Sequence, residues 1–184
     1  MTADLVLPIY CGPLRLRALV ESDASEHARL FSQPDVVRYL YEDVLEGDEL
    51  RAHFEKRLWT GLPAEGEWAN LAVVAGDQFL GEVGFGVSDA VHRTYEVGYV
   101  FHPEVSGFGY ATEATRATVQ LCVGVLGAHR VIARLDARNT RSAALAERLG
   151  FRREAHYVEN EFVKGEWTDE VVYAILAREW TAAT

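Results

Sequence analysis

The sequence predicts a mixed α+β fold, built on a mostly antiparallel sheet of about seven strands with about four helices against it. Three observations point there. Two β-rich runs, 68–74 and 79–85, are separated only by Ala75, Gly76, Asp77 and Gln78, which reads as a hairpin. A strand, helix, strand passage from 95 to 135 demands a parallel pair, because only a long crossover joins parallel neighbours. A final hairpin, 151–162 and 167–176, turns at Lys164 and Gly165.

The elements follow in order. Residues 14–18 (LRLRA) alternate as a short strand, and Ser22 and Asp23 stand where a helix cap is expected ahead of His27 and Phe31. Pro34 should end that helix. Gly47 and Asp48 open a second one through Leu50, Phe54, Leu58 and Trp59, closed by Gly61, Leu62 and Pro63. After the hairpin, a third strand runs over 95–101. From 109 to 126 the residues Ala111, Ala114, Ala117, Leu121, Cys122 and Val125 recur at helical spacing, so a long helix buries one face. A buried strand, 131–135, leads to Asn139, which starts a helix through Ala143, Leu145 and Leu149 that stops at Gly150.

The 184 residues fit one domain, 1–184, with no repeat or linker to divide it. A net charge of −10 argues against nucleic acid, which needs a basic footprint. No apolar run reaches the length of a membrane span and the first residues lack a signal pattern, so a cytoplasmic location is expected. Cys11 and Cys122 read as free thiols, and no His, Cys and Asp grouping has metal spacing.

The segment 99–114 (YVFHPEVSGFGYATEA) carries the most chemistry. A strand passes through a turn into Gly107, Phe108 and Gly109 and then directly into the long helix. Glycines there let backbone N–H groups crowd an anion, and the positive end of the helix adds attraction, so a phosphate or pyrophosphate is the expected ligand. Triphosphatase and dinucleotide loops do not fit. No Lys-Ser/Thr follows the glycines, and Thr112 stands where a third glycine would be needed.

Ser106-Gly107-Phe108-Gly109-Tyr110-Ala111 resembles the acyl-CoA pyrophosphate loop of the GNAT superfamily of N-acetyltransferases, whose pattern is Gln/Arg-x-x-Gly-x-Gly/Ala. Gly98-Tyr99 before His102-Pro103, then Tyr110-Ala111-Thr112-Glu113-Ala114, Asn139-Thr140-Arg141-Ser142, Leu149-Gly150-Phe151 and Gly165-Glu166-Trp167-Thr168-Asp169 with Tyr173 resemble the branch that acetylates ribosomal-protein N-termini, the RimJ/RimL type. Ser106 and Phe108 depart from the pattern, removing two side chains that could carry charge to the phosphates.

The resemblance implies that strands 95–101 and 131–135 splay apart and that acetyl-CoA, as co-substrate, lies in the gap. Its contacts would come from Tyr99, Val100 and Phe101, from Ser106, Gly107, Phe108, Gly109, Tyr110, Ala111 and Thr112, and from Asn139 and Ser142. An amine would attack the thioester directly, with no acyl-enzyme. Ser142 is assigned as proton donor to the leaving thiolate, and Glu161 as the base, with Glu82 and Glu96 in reserve. If the last hairpin alternates regularly, Glu161 shares a face with Tyr157 and Glu159, and a neighbouring carboxylate would raise its pKa. His102 is read as a packed side chain, and His156 has no assigned role.

The acceptor is expected to be a protein N-terminus or a small amine such as an amino acid, polyamine or aminoglycoside-like compound. It would be gripped by residues 34–62 and the last hairpin, with Tyr39, Tyr41, Trp59 and Tyr157 as aromatic walls. A homodimer is a further expectation, with no residue assigned to it. The competing reading is a catalytically silent acyl-CoA-binding sensor or partner module. Retention of Asn139, Ser142 and Glu161 together favours the enzyme.

Overall fold

The computed structural model describes residues 5–180, so the ends of the expected 1–184 span lie outside the described residues. Eight strands form one sheet: β1 (Ile9–Cys11), β2 (Leu14–Ala18), β3 (Trp68–Ala75), β4 (Gln78–Asp89), β5 (Thr94–Phe101), β6 (Arg130–Asp136), β7 (Arg152–Val163) and β8 (Glu166–Leu176). Their order is β1-β2-β3-β4-β5-β6-β8-β7, antiparallel throughout except for β5 against β6. Five α-helices accompany them among the described residues: α1 (Ala24–Phe31), α2 (Pro34–Val37), α3 (Asp48–Arg57), α4 (Tyr110–Gln120) and α5 (Thr140–Arg148).

The expected topology is present, with four local differences. The eighth strand, β1, is only three residues long and folds onto β2 through Gly12 at φ 56°, too short for its alternation to show in the sequence. Pro34 does not itself end a helix. α1 stops at Phe31 and Pro34 takes the first position of α2, where its missing N–H costs nothing. The long helix is α-helical only to Gln120; Leu121–Val125 form a π turn, in which Leu126 N–H donates to Leu121 O. Asp23 accepts the Val20 N–H at 2.9 Å rather than capping α1, and takes both terminal nitrogens of Arg17 at 2.6 and 2.8 Å.

The sheet is covered on both sides, which is why β3 and β4 are buried along nearly their whole length. One face packs Val83, Phe85, Val97 and Val131 against Ala114 and Val119 of α4, Leu145 of α5 and Leu149 just beyond its end. The other packs Ala72, Val74 and Phe79 against Leu30, Phe31, Val37 and Phe54 of α1, α2 and α3. Polar bonds reinforce this second layer. Buried His27 on α1 bonds Glu82 on β4 through Nδ1 at 2.6 Å and His53 on α3 through Nε2 at 2.9 Å. Arg57 donates to Asn70 Oδ1 on β3 at 2.9 Å.

Burial alone would raise the Asp23 carboxyl, but the Arg17 and Val20 hydrogen bonds outweigh it and hold it below the usual carboxylate range. A carboxyl lowered in the fold stabilises above its unfolded pKa, and that contribution is lost as pH falls through the folded value. Asp23→Ala is expected to destabilise the protein near neutral pH by about 2 kcal/mol in urea titration, with the difference from wild type shrinking in acid.

Candidate active site

The site begins where the parallel ladder stops. β5 and β6 pair only at Thr94–Arg130, Tyr95–Val131 and Glu96–Ile132. Beyond that rung each strand stays with its antiparallel partner, β5 with β4 as far as Phe101 and β6 with β8 as far as Asp136. A gap opens between them. His102 N–H donates to Leu80 O on β4 at 3.0 Å, and backbone groups alternate sides along a strand. The amides and carbonyls of Tyr99 and Phe101 therefore face the gap, while those of Val100 face β4.

Below β5 the chain turns through Pro103–Val105 into the glycine segment. Gly107 and Gly109 have φ of 88° and 82°, and a Cβ built at either meets nothing within 4 Å. Glu113 is the first residue of α4 whose amide bonds within the turn, to Gly109 O at 3.0 Å. Among the described residues the amides of Gly107, Phe108, Gly109, Tyr110, Ala111 and Thr112 have no protein acceptor. These are the orphan donors of a helix start, turned outward by left-handed glycines. Ser106 and Phe108 bring no charge, and the Phe108 ring stacks on Tyr110. Arg148 of α5, a residue the sequence reading did not single out, donates to Thr112 Oγ1 at 3.0 Å and places a guanidinium at the rim of this cradle.

α5 starts at the edge of the gap. Asn139 accepts the Ser142 N–H at 3.1 Å, a cap that explains where the helix begins. The Tyr99 hydroxyl donates to Ser142 O at 3.2 Å, tying this first turn to β5. Burial, only partly opposed by the Ser142 bond and Arg148, pushes the Tyr99 phenol up to about 12, so it stays protonated. Ser142 thus stands half-buried beside the splayed strand.

On the opposite face lies a cleft of about 330 Å³, lined by Tyr41, Arg134, Glu161, Phe162, Val163 and Glu170. Glu96, on the last rung, reaches the same spot, with Arg134 Nε 3.6 Å from its Oε2. Burial raises the Glu96 carboxyl above its ordinary range; Arg134 opposes the rise and Glu170 adds to it. Beside the cleft the sheet is nearly bare. The Trp68 indole covers Gly84, Gly86 and Gly98, where a Cβ at Gly84 would meet Asn70 Oδ1 at 2.8 Å and one at Gly86 the Glu67 carbonyl at 2.7 Å. A larger groove of about 470 Å³ between β1 and α4 is mainly apolar and gathers no comparable set of groups.

A model of the acetyltransferase (GNAT) domain matches residues 13–152. The chain belongs to the GNAT acetyltransferase family. It is 32% identical over 151 residues to an uncharacterized N-acetyltransferase, YnaD, of Bacillus subtilis, covering 81% of this chain and 85% of the relative. It is 30% identical over 95 residues to the ribosomal protein uS5-alanine N-acetyltransferase of Escherichia coli, covering 52% and 48%. A crystal structure of a GNAT acetyltransferase from Bacillus anthracis superposes with a TM-score of 0.84 at 31% identity, covering 94% of this chain and all of that one. The fold and the relatives make the chain an acetyl-CoA-dependent N-acetyltransferase.

In this GNAT chain the anticipated residues divide between the two faces. Tyr99, Phe101, the glycine segment, Asn139 and Ser142 gather around the gap, while Glu161 lines the cleft. The expected alternation in the last hairpin is broken. Tyr157 stands opposite Glu170 and Glu161 opposite Thr168, so two extra residues bulge out of β7, with Glu159 at φ 47° and its amide on Asp169. The carboxylate that shares the cleft with Glu161 is therefore Glu170, not Glu159. Of the expected aromatic walls, Tyr41 lines the cleft, Tyr39 lies against Arg38, and Trp59 packs against the core. Glu82 is committed to His27, His102 is buried beneath Phe79, and His156 pairs with Asp169.

No helix among the described residues is long and apolar enough to cross a membrane. Gly109→Val imposes a β-branched residue at φ 82° on the cradle. Calorimetry is expected to show acetyl-CoA affinity reduced by about tenfold or more, whereas an unchanged affinity would remove the loop from the site.

Proposed function

We propose that this acetyltransferase moves the acetyl group of acetyl-CoA to a primary amine by direct attack across the splayed strands. The observation that carries the proposal is the early end of the β5–β6 ladder, which frees the Tyr99 and Phe101 backbone between an amide-lined cradle and a carboxylate-lined cleft. The Gly107 to Thr112 amides take the pyrophosphate, with Arg148 at their rim. The Tyr99 and Phe101 backbone groups hold the pantetheine arm and the acetyl carbonyl, where an amide also stabilises the developing oxyanion. Ser142 supplies a proton to the leaving thiolate, and Asn139 holds the turn that carries it.

The base must accept a proton from an ammonium near neutral pH, which favours a carboxyl with a raised pKa. Glu96 has that environment and stands on the last rung of the ladder. Glu161, half-buried on the hairpin, forms the outer wall. The acceptor is a protein N-terminus or a small amine, entering over the hairpin and α2, which are bridged by the Lys164 ammonium bonded to Val37 O.

Thiol release from acetyl-CoA, scanned over peptide N-termini, amino acids, polyamines and aminoglycosides, tests the activity. Binding without turnover of any amine would replace the enzyme with a silent coenzyme binder. Glu96→Gln is expected to lower kcat by about 100-fold or more while leaving acetyl-CoA affinity intact. The acid limb of kcat/KM should lie above the ordinary carboxylate range, move up in Arg134→Gln and vanish in Glu96→Gln. Loss of that limb in Glu161→Gln instead would transfer the role to Glu161. Ser142→Ala should slow kcat by about tenfold without weakening the coenzyme.

A further inference from the structure

The cleft carries more negative charge than the proposed chemistry needs. Glu96, Glu161 and Glu170 face Arg134, a formal charge of −2 with all four ionised. Glu170 is the unusual member. Its side chain is 3% exposed, its Oε2 accepts the Tyr41 hydroxyl at 2.9 Å, and its Oε1 is buried with no hydrogen-bond partner among the described residues. A buried carboxylate oxygen without a donor is costly unless a positive group completes it.

Arg134 does not complete it. Its Nη1 lies 3.8 Å from Glu170 Oε1 and its Nε 3.6 Å from Glu96 Oε2, both beyond hydrogen-bond length. The guanidinium is 45% exposed and makes no hydrogen bond among the described residues. It stands between two carboxylates without being bonded to either.

We infer that Glu170, oriented by Tyr41, is the docking point for a second cationic group on the acceptor, and that this group displaces Arg134 while the reacting amine lies beside Glu96. The inference rests on the proposed role of Glu96. The substrate class is an amine bearing two positive charges a few carbons apart, as in a short diamine. A tightly coordinated ammonium at Oε1 gains charge-assisted hydrogen bonds that a monoamine of equal length cannot make. The same carboxylate rejects acceptors with an anionic group at that distance.

The test compares straight-chain diamines of about three to six carbons with the monoamine of equal length, on the full chain, in both thiol release and equilibrium binding with CoA present. The wild type is expected to favour the best diamine by about tenfold or more in kcat/KM. Glu170→Gln keeps the size and the Tyr41 contact, and should remove that preference through KM, with acetyl-CoA affinity retained and any change in kcat shared by monoamines and diamines alike. Tyr41→Phe should weaken it in the same direction, and Arg134→Gln should lower KM for the diamine by removing the competing cation. Equal kcat/KM for monoamines and diamines, or a loss in Glu170→Gln that is the same for both, would overturn the docking role while leaving the acetyltransferase reading intact. A diamine that binds, loses affinity in Glu170→Gln and yet is never acetylated would preserve the docking site and overturn the proposed catalysis.

Discussion

Three rungs of parallel pairing hold the centre of this molecule, and the fourth is missing. β5 and β6 are each bound along their outer edges to long antiparallel partners, so neither strand needs the other for its own integrity. Antiparallel pairing is slightly stronger per residue than parallel pairing, and adjacent strands in a twisted sheet diverge unless a ladder restrains them. Once the ladder ends at Glu96 and Ile132, the inner edges separate and leave backbone donors and acceptors with no strand to satisfy them. An unpaired strand edge is a template for another extended chain. In the proposed mechanism that chain is the pantetheine arm.

The two helical layers make the gap useful because they approach it from opposite sides. α4 and α5 lie on one face and are tied together by Arg148 and Thr112, and α5 is tied to β5 by Tyr99 and Ser142. The glycine cradle and the helix start therefore share a rigid frame. α1 and α3 lie on the other face, anchored through His27, Glu82, Arg57 and Asn70. The cleft opens beside that anchor, where Gly84, Gly86 and Gly98 leave the sheet without side chains and Trp68 covers it. In the proposed mechanism, coenzyme and acceptor then meet through the sheet without competing for one surface. The family chemistry fits this economy, because a thioester needs only a neutral amine, a place for negative charge and a proton for the sulfur.

Much of this was legible in one dimension. Hairpins, helices and the crossover follow from periodicity and turn residues, and seven of the eight strands lie where alternation or a short buried run marks them. The glycine turn proposed to cradle the pyrophosphate is local in the chain, so Gly107, Gly109 and the start of α4 could be read directly, as could Asn139 as a cap. Features of three to five residues were not legible. β1, α2 and the π turn after Gln120 depend on what packs over them more than on their own pattern. The bulge in β7 changed which carboxylate stands beside Glu161, because register is a property of a pair of strands.

The sequence by itself determined the family, the order of elements and the glycine turn that opens α4, all of which rest on patterns among residues near one another in the chain. Tertiary structure alone decided the carboxylate cleft, the proposed acceptor side. Glu96, Arg134 and Glu170 come from three strands and Tyr41 from the loop before α3, and they meet because the sheet places β5, β6 and β8 side by side. Burial then separates their roles, raising the Glu96 carboxyl and leaving Glu170 Oε1 bare. Solvent exclusion and pairing across the sheet are properties of the folded surface, and no single stretch of residues encodes them.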